Sequence, residues 1–253
     1  MAEWLYEAGI GENRAALVEG GRIREMAIER DDAAGPRVGA IVQARLVHKA
    51  DASGRGLALL AGGVTAQLIP VPADVTEGGA LTVEVIREEL REGTEAKLLR
   101  VRPAPPDAVP TDGPDLLRRI EASGVRVHRL GSGCDLLEDH GWSEALEEAA
   151  SGLVASPDVL LRISPTPAMT LIDVDGAASA VEVAIAGARA AGEVIRRFGI
   201  TGSIGIDLPT LTGKADRQAA AAALTARYRS RSSGPRSTAS AFSSSSGDGS
   251  GHR

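Results

Sequence analysis

Three aspartates interrupt apolar runs in the C-terminal half of the chain. Asp173 and Asp175 lie in the stretch 170–176 (TLIDVDG), and Asp207 lies in the stretch 203–211 (SIGIDLPTL). Carboxylates within such runs need a partner, because a charge removed from water is stable only when it is paired or bound to a cation. The chain has one cysteine and four histidines, so a cation here would rest on oxygen ligands, which favour Mg²⁺ or Mn²⁺. The residues therefore indicate a divalent-metal site.

The elements around these aspartates follow a strand–helix–strand order. Residues 170–175 and 203–211 are predicted strands, and the Ala-rich segment 177–199 is a predicted helix. Parallel strands joined by one helix usually pair or lie one strand apart, and their carboxyl ends meet at the same edge of the sheet. We therefore expect Asp173 and Asp207 to face each other across neighbouring strands, roughly 5 Å apart.

A structural interpretation of the same aspartates stays open. Asp175 before Gly176 is a common turn pair, and Asp207 before a Leu-Pro pair could cap the next turn. Within the predicted helix, Gly187 and Gly192 indicate close packing against the sheet and no chemistry.

The N-terminal half predicts two β-rich segments. Residues 1–36 contain a two-residue hairpin signal, Gly20-Gly21, between apolar runs. Residues 37–103 contain short β-rich runs separated by Gly, Asp and Pro at the spacing of a small barrel. The proline-rich stretch 104–114 excludes a helix or a central strand, so it is a predicted junction.

The C-terminal half predicts alternating helices and strands, followed by a tail. Residues 115–155 contain two short helices and a strand, and residues 156–226 contain the strand–helix–strand unit and a final helix. Residues 227–253 are rich in Ser, Gly and Arg and are predicted to be disordered. A shifted reading frame of this tail would encode an apolar, basic-ending segment. We hypothesise that the tail is the product of a frameshift, which would leave an uncovered sheet edge.

Composition and charge narrow the possible functions and locations. The net charge of −6 argues against a strongly basic nucleic-acid binder. No run of about 18 apolar residues is present to span a bilayer, and the start of the chain lacks the basic and apolar regions of a secretion signal. A cytoplasmic location without a membrane partner is therefore expected. A single cysteine permits neither an internal disulfide nor a Cys-rich zinc site.

The order of these segments resembles the ribonuclease E/G family. ISPTPAMTLIDVDGAASA, an Ala-rich helix ending AGEVIRRFGI, and TGSIGIDLPTL resemble the family's catalytic segment. NRAALVEGGRIREMAIERD resembles its opening hairpin, and residues 38–101 resemble its inserted RNA-binding barrel. The resemblance covers nearly the whole ordered chain. It implies a mixed α+β and α/β fold: a ribonuclease-H-like and deoxyribonuclease-I-like catalytic unit with an inserted OB-type β-barrel.

The activity that the resemblance implies is metal-dependent endonucleolytic hydrolysis of single-stranded RNA, in RNA processing or decay. Asp173 and Asp207 would be the catalytic metal ligands for Mg²⁺ or Mn²⁺. Asp175 stands where the family usually has Asn, and would hold a metal-bound water. The resemblance implies a shortened member of the family in two respects. Only residues 104–114 stand where the family has a domain that reads the RNA 5′ end, and the family's two-cysteine zinc link is missing, so no structural zinc is expected.

Four basic residues are candidate RNA-phosphate contacts: Arg118, Arg119, Arg126 and Arg129. The barrel segment contains no Phe, Tyr or Trp, so base stacking there should be weak. One alternative function is an RNA-binding protein that keeps the fold with little or no catalysis. Another is a different metal-dependent α/β enzyme that shares only the carboxylate geometry.

Overall fold

A computed structural model describes residues 1–32, 35–49, 54–92, 95–105, 107–131, 133–228 and 238–243. The strands in these residues are β1 (Glu3–Ala8), β2 (Glu12–Glu19), β3 (Arg22–Arg30), β4 (Ile41–His48), β5 (Gly56–Leu60), β6 (Thr65–Leu68), β7 (Ala80–Arg87), β8 (Leu90–Glu92), β9 (Glu95–Lys97), β10 (Leu99–Pro103), β11 (Val127–Leu130), β12 (Leu153–Ser156), β13 (Val159–Pro165), β14 (Thr170–Asp175), β15 (Ser203–Leu208) and β16 (Thr238–Ser243). The α-helices are α1 (Leu116–Glu121), α2 (Trp142–Ser151), α3 (Ala180–Arg197) and α4 (Lys214–Tyr228). Within the described ranges, no helix has the length and apolar character needed to cross a membrane.

The chain divides into two compact units. The sheet–helix unit comprises Met1–Gly9, Arg14–Ile28 and Ser123–Arg253. The barrel unit comprises Ile10–Asn13 and Glu29–Ala122.

The barrel unit is a closed five-stranded β-barrel of OB-like kind, with the strand order β10-β6-β5-β4-β7. Closure comes from β10, which pairs parallel with β6 and antiparallel with β7. Along β4 the side chains alternate: Ala44 and Leu46 point into the buried core, whereas Arg45 and Val47 are exposed. This period of two is what a sheet closed around an apolar interior requires. The predicted barrel is confirmed.

Helix α1 belongs to the barrel unit. Its N-cap residue, Asp115, accepts a hydrogen bond from the backbone N–H of Arg118 at 2.8 Å. The backbone N–H of Leu116 donates to the carboxylate of Glu29, which ties the start of the helix to the end of β3. The predicted range 115–155 grouped this helix with the strand and helix that follow it. Its grouping depends on the long-range contact with Glu29, which local sequence does not encode.

The sheet–helix unit begins with a four-stranded sheet of order β11-β1-β2-β3. Gly20 and Gly21 connect β2 to β3, with φ of 61° and 74°. A two-residue turn with both residues at positive φ matches the twist of a hairpin, and glycine adopts it without strain. The predicted hairpin is confirmed.

The second sheet of this unit has the order β12-β13-β14-β15-β16. Strands β14 and β15 are parallel and adjacent, and α3 connects them, as the strand–helix–strand pattern predicts. Helix α3 covers one face of β13, β14 and β15, and α4 packs against α3. The inner face and α3 form one apolar core that includes Leu161, Ile172, Val174, Ile204, Ile206, Val183, Ala184, Ala188, Ala191, Val194 and Ile195.

The two glycines of α3 serve different contacts. A Cβ on Gly187 would lie 2.3 Å from Cγ1 of Val174, so the helix approaches β14 as closely as predicted. A Cβ on Gly192 would lie 2.9 Å from the carbonyl oxygen of Leu224 on α4. The prediction that Gly192 packs against the sheet is therefore wrong, because α4 covers that side of α3.

The predicted disordered tail, residues 227–253, differs from the structure at its start and in a central segment. Arg227 and Tyr228 complete α4, and Thr238–Ser243 forms β16, which pairs parallel with β15. The edge of β15 is therefore covered, since a sheet edge can pair with the backbone of any extended segment, whatever its composition. The prediction for residues 229–237 and 244–253 lies outside the described residues.

Candidate functional site

The two predicted metal ligands face each other on adjacent strands. Strand β14 buries Ile172 and Val174 against α3, so the intervening Asp173 points to the opposite, outer face of the sheet. In the parallel register, Ile172 lies opposite Ile206, and Asp173 lies opposite Asp207. The predicted facing of these two carboxylates is confirmed. Neighbouring strands are about 4.8 Å apart, so both carboxylates can contact one ion.

Within the described part of the chain, neither carboxylate of this pair has a partner. Asp173 and Asp207 are half-buried. Among the described residues, no side-chain hydrogen bond or ion pair is made by either one. Two partly desolvated carboxylates at neighbouring positions repel each other, and a bound cation relieves that repulsion. The alternative that Asp207 caps the next turn also lacks support, because no backbone N–H in the described residues donates to its side chain.

Asp175 has a different environment from the pair. It ends β14, its side chain is 59% exposed, and its Oδ2 lies 3.4 Å from Nε of Arg162 on β13. The following residue, Gly176, marks a close approach, since a Cβ there would lie 2.8 Å from Cγ2 of Val183. Asp175 is thus an ion-pair partner at the end of the strand, and its predicted hold on a metal-bound water stays a prediction.

Arg162 is a site residue that the sequence interpretation did not identify. It lies directly opposite Asp173 in the antiparallel ladder between β13 and β14. Arg162, Asp173 and Asp207 therefore form one row across three strands, which we call the charged row. The alternation of the stretch VLLRISP places Arg162 on the outer face. The period of two in this stretch indicates that Arg162 faces outward. The sequence does not show that β13 pairs antiparallel with β14, which is what brings Arg162 beside Asp173.

An apolar shelf borders the charged row. Gly205 lies opposite Leu171, and a Cβ on Gly205 would lie 3.0 Å from Sδ of Met169 and 3.4 Å from Cδ1 of Leu171. The turn before β14 fixes Met169, because the hydroxyl of Thr166 donates to its carbonyl at 2.6 Å. Gly205 thus leaves room for Met169 and Leu171 beside the two aspartates.

Helix α3 begins five residues after Asp175 and is capped by side chains. Ser179 and Glu182 form a capping box, in which Oγ of Ser179 accepts from the backbone N–H of Glu182 and the carboxylate of Glu182 accepts from the backbone N–H of Ser179. Hydrogen bonds from the Ser179 side chain, and then from its backbone, hold the pKa of Glu182 below its ordinary value. The cap fixes where the chain leaves β14.

The four predicted RNA-binding arginines fall in different units. Arg118 and Arg119 lie on α1 of the barrel unit, where Arg118 is exposed and Arg119 lies 3.9 Å from carboxylate oxygens of Glu29 and Glu88. Arg126 and Arg129 are exposed and lie immediately before and within β11 of the sheet–helix unit. Their contact with RNA phosphate stays a prediction.

The Asp173–Asp207 pair fits a metal such as Mg²⁺, which takes part of its ligands from water and substrate. It fits less well a metal whose ligands all come from the protein. Within the described ranges, no cluster of three or more His, Cys, Asp or Glu side chains is placed to hold a metal ion. Mg²⁺ commonly keeps several waters and binds through one or two carboxylates plus substrate phosphates. Two unpartnered oxygen ligands supply such a partial set.

Comparison with known proteins gives no family for this chain: no family model matches the sequence, and no curated protein matches it. The molecule is therefore defined by its mixed α+β architecture, its OB-like barrel, and a sheet face that carries two facing carboxylates, for which the described residues provide no partner.

Proposed function

We propose that this chain is a divalent-metal-dependent endoribonuclease that hydrolyses phosphodiester bonds of single-stranded RNA. The observation that carries the proposal is the register of Asp173 with Asp207, both half-buried and both without a partner among the described residues. The ribonuclease E/G resemblance supplies the substrate, and the OB-like barrel supports it, since such barrels often bind single-stranded nucleic acid. The ribonuclease-H-like and deoxyribonuclease-I-like assignment of the sheet–helix unit belongs to this proposal.

The roles of the residues follow from their placement. Asp173 and Asp207 would hold Mg²⁺ (or Mn²⁺) on the outer face of the sheet, each through carboxylate oxygens. When bound, the ion would polarise the scissile phosphate and lower the pKa of the attacking water. The half-burial of both aspartates limits the water around them, which strengthens their attraction to a cation. The apolar shelf of Met169 and Leu171 borders one side of the row.

Cleavage of a labelled single-stranded RNA by the purified protein tests the proposal. Wild-type protein with Mg²⁺ should cleave the RNA internally, and EDTA should abolish cleavage. Asp173→Asn and Asp207→Asn should each reduce the rate by at least about a hundredfold, because one metal ligand is lost in each. Asp139→Asn, which removes an exposed carboxylate elsewhere in the same unit, is the matched control and should cleave normally.

Two outcomes would contradict the proposal. Equal cleavage by the wild type and both aspartate variants would place the activity at another site or in a contaminant. RNA binding without cleavage, under any divalent cation, would favour the alternative of a non-catalytic RNA-binding protein.

A further inference from the structure

The charged row contains a cation that the proposed mechanism does not yet use. On β12 to β15, all of which are described, the outward-facing positions include one basic side chain, Arg162. It stands in the row next to Asp173 on one side, whereas Asp207 stands on the other. We propose that Arg162 contacts the RNA phosphate at this site, and that Asp175 holds its guanidinium in place beside the Asp173–Asp207 pair. This inference rests on the proposed function.

The ion pair with Asp175 is weak enough for Arg162 to contact a phosphate as well. Arg162 is 54% exposed and Asp175 is 59% exposed, and their closest atoms are 3.4 Å apart. Exposed ion pairs at such distances contribute little to stability, because water screens both charges. A phosphate that approaches the row can therefore share the guanidinium with Asp175 at small cost.

The geometry of the ladder explains why Arg162 pairs with Asp175 and leaves Asp173 free. Asp173 is directly opposite Arg162, whereas Asp175 is opposite Leu160 and is therefore the diagonal neighbour. A long side chain reaches the diagonal position on the same face. Because the guanidinium lies towards Asp175, the carboxylate of Asp173 stays available for a cation.

The charge balance of the outer face requires a basic side chain in addition to a divalent ion. Three carboxylates, those of Asp173, Asp175 and Asp207, lie on the outer face of two adjacent strands. They would repel a phosphodiester, and a divalent ion neutralises only two of the three charges. Arg162 neutralises the third. A planar guanidinium also offers paired N–H donors that match two phosphate oxygens, which a lysine ammonium does not.

The role of Asp175 changes accordingly. It acts on the substrate through Arg162, as a positioning residue, and does not need to hold a metal-bound water. Its replacement should therefore affect RNA affinity more than the Mg²⁺ requirement.

Binding and cleavage of RNA by Arg162 variants test the inference. The wild type, Arg162→Gln, Arg162→Lys and Asp175→Asn are compared with Arg189→Gln, which removes an exposed arginine on α3. Fluorescence anisotropy in Mg²⁺, with a labelled single-stranded RNA that carries cleavage-resistant phosphorothioate linkages, gives the Kd at several salt concentrations. Initial rates on unmodified RNA in Mg²⁺ give kcat and KM. Tryptophan fluorescence of each variant checks folding, because both tryptophans, Trp4 and Trp142, lie in this unit.

We expect Arg162→Gln to weaken RNA binding about tenfold and to reduce the slope of log Kd against log salt by about 0.7, the loss of one phosphate contact. KM should rise by a similar factor, with a smaller change in kcat. Arg162→Lys should keep the salt slope but recover only part of the affinity. Asp175→Asn should weaken binding about twofold to threefold without raising the Mg²⁺ concentration needed for half-maximal cleavage. Arg189→Gln should match the wild type.

The results that overturn the inference are distinct from those that overturn the proposed function. Arg162→Gln that binds and cleaves RNA like the wild type, an equal loss in Arg189→Gln, or no RNA binding by the wild type would each reject a phosphate contact at Arg162. A tenfold rise in the Mg²⁺ requirement of Asp175→Asn, with unchanged RNA affinity, would reject its positioning role. A wild type that binds RNA but never cleaves it rejects the proposed function, while a weaker, less salt-dependent Arg162→Gln complex still supports the contact.

Discussion

Two carboxylate sites in the sheet–helix unit have opposite environments: one is paired with an arginine, and the other has two carboxylates side by side. Glu25 on β3 is only 2% exposed, and Nε of Arg196 on α3 donates to its Oε1 at 2.8 Å. Asp173 and Asp207 are half-buried, face each other, and have no partner within the described residues. The fold thus supplies a matched cation where a carboxylate is structural. Where the fold leaves two carboxylates unmatched, the partner must come from solution.

The difference has a physical basis in desolvation. A fully buried carboxylate without a partner would cost several kcal/mol, and the hydrogen bond from Arg196 offsets that cost for Glu25. The desolvation of a half-buried carboxylate on an open sheet face costs less free energy. The folded protein can therefore tolerate Asp173 and Asp207 side by side before a ligand binds. The same contrast separates Asp175, which already has Arg162, from its neighbour Asp173 two residues earlier.

The largest effect is expected when the matched pair is broken. Arg196→Ala would remove the guanidinium that donates to the buried carboxylate of Glu25 and should lower the free energy of unfolding by about 3–5 kcal/mol. Urea unfolding followed by the fluorescence of Trp4 and Trp142 reports on this unit alone, since both tryptophans lie in it. Glu25→Ala in the Arg196→Ala background should recover part of the loss. A cost below about 1 kcal/mol would show that the pair is not a structural requirement.

A second test addresses the inner face beneath the acidic pair. Gly187→Ala places a Cβ 2.3 Å from Cγ1 of Val174, which lies between the two aspartates of β14. The clash should cost about 1–3 kcal/mol, although alanine is the better helix former by about 1 kcal/mol. In a Val174→Ala background the same substitution should become neutral or stabilising, and thermal unfolding measures both. A stabilised single variant would mean that α3 can move away from the strand.

Mg²⁺ should stabilise the folded protein by binding to the Asp173–Asp207 pair. We expect no comparable stabilisation through the Glu25–Arg196 pair. At a concentration ten times its Kd, a ligand that binds only the folded protein adds about 1.4 kcal/mol. We expect that gain in the wild type and in Asp139→Asn, and its loss in Asp173→Asn and Asp207→Asn. In EDTA, the two variants should be at least as stable as the wild type, because repulsion within the pair is removed. Equal Mg²⁺ stabilisation of every protein would point to another site.

The smallest effect concerns the carboxylate that caps α3. The pKa of Glu182 is lowered from its ordinary value of 4.5, so its stabilising contribution is present above about pH 4.5 and disappears as the pH falls through the lowered pKa. Wild-type protein should therefore unfold at a higher temperature than Glu182→Gln near pH 7, and this difference should close below pH 4.5. Ser179→Ala removes the main hydrogen bond and should weaken the same pH dependence. A difference that grows in acid would contradict the lowered pKa.

The alternation of apolar residues along strands, and the residues of tight turns, predicted most of the strands and helices. The period of two in 170–175 and 203–208 set which residues of β14 and β15 are buried, and the Gly20-Gly21 pair set the first hairpin. These features could be predicted because they depend on neighbours in sequence. The grouping of α1 with the barrel and the pairing of β16 with β15 depend on distant contacts, which the local sequence does not encode.

The sequence by itself determined that Asp173 and Asp207 would face each other. Both follow a buried Ile on parallel strands that one helix connects, and backbone register then places them side by side. Only the tertiary structure decided what surrounds them. The antiparallel register of β13 brought Arg162 into the same row and gave Asp175 its partner, because strand pairing joins residues that the chain keeps apart.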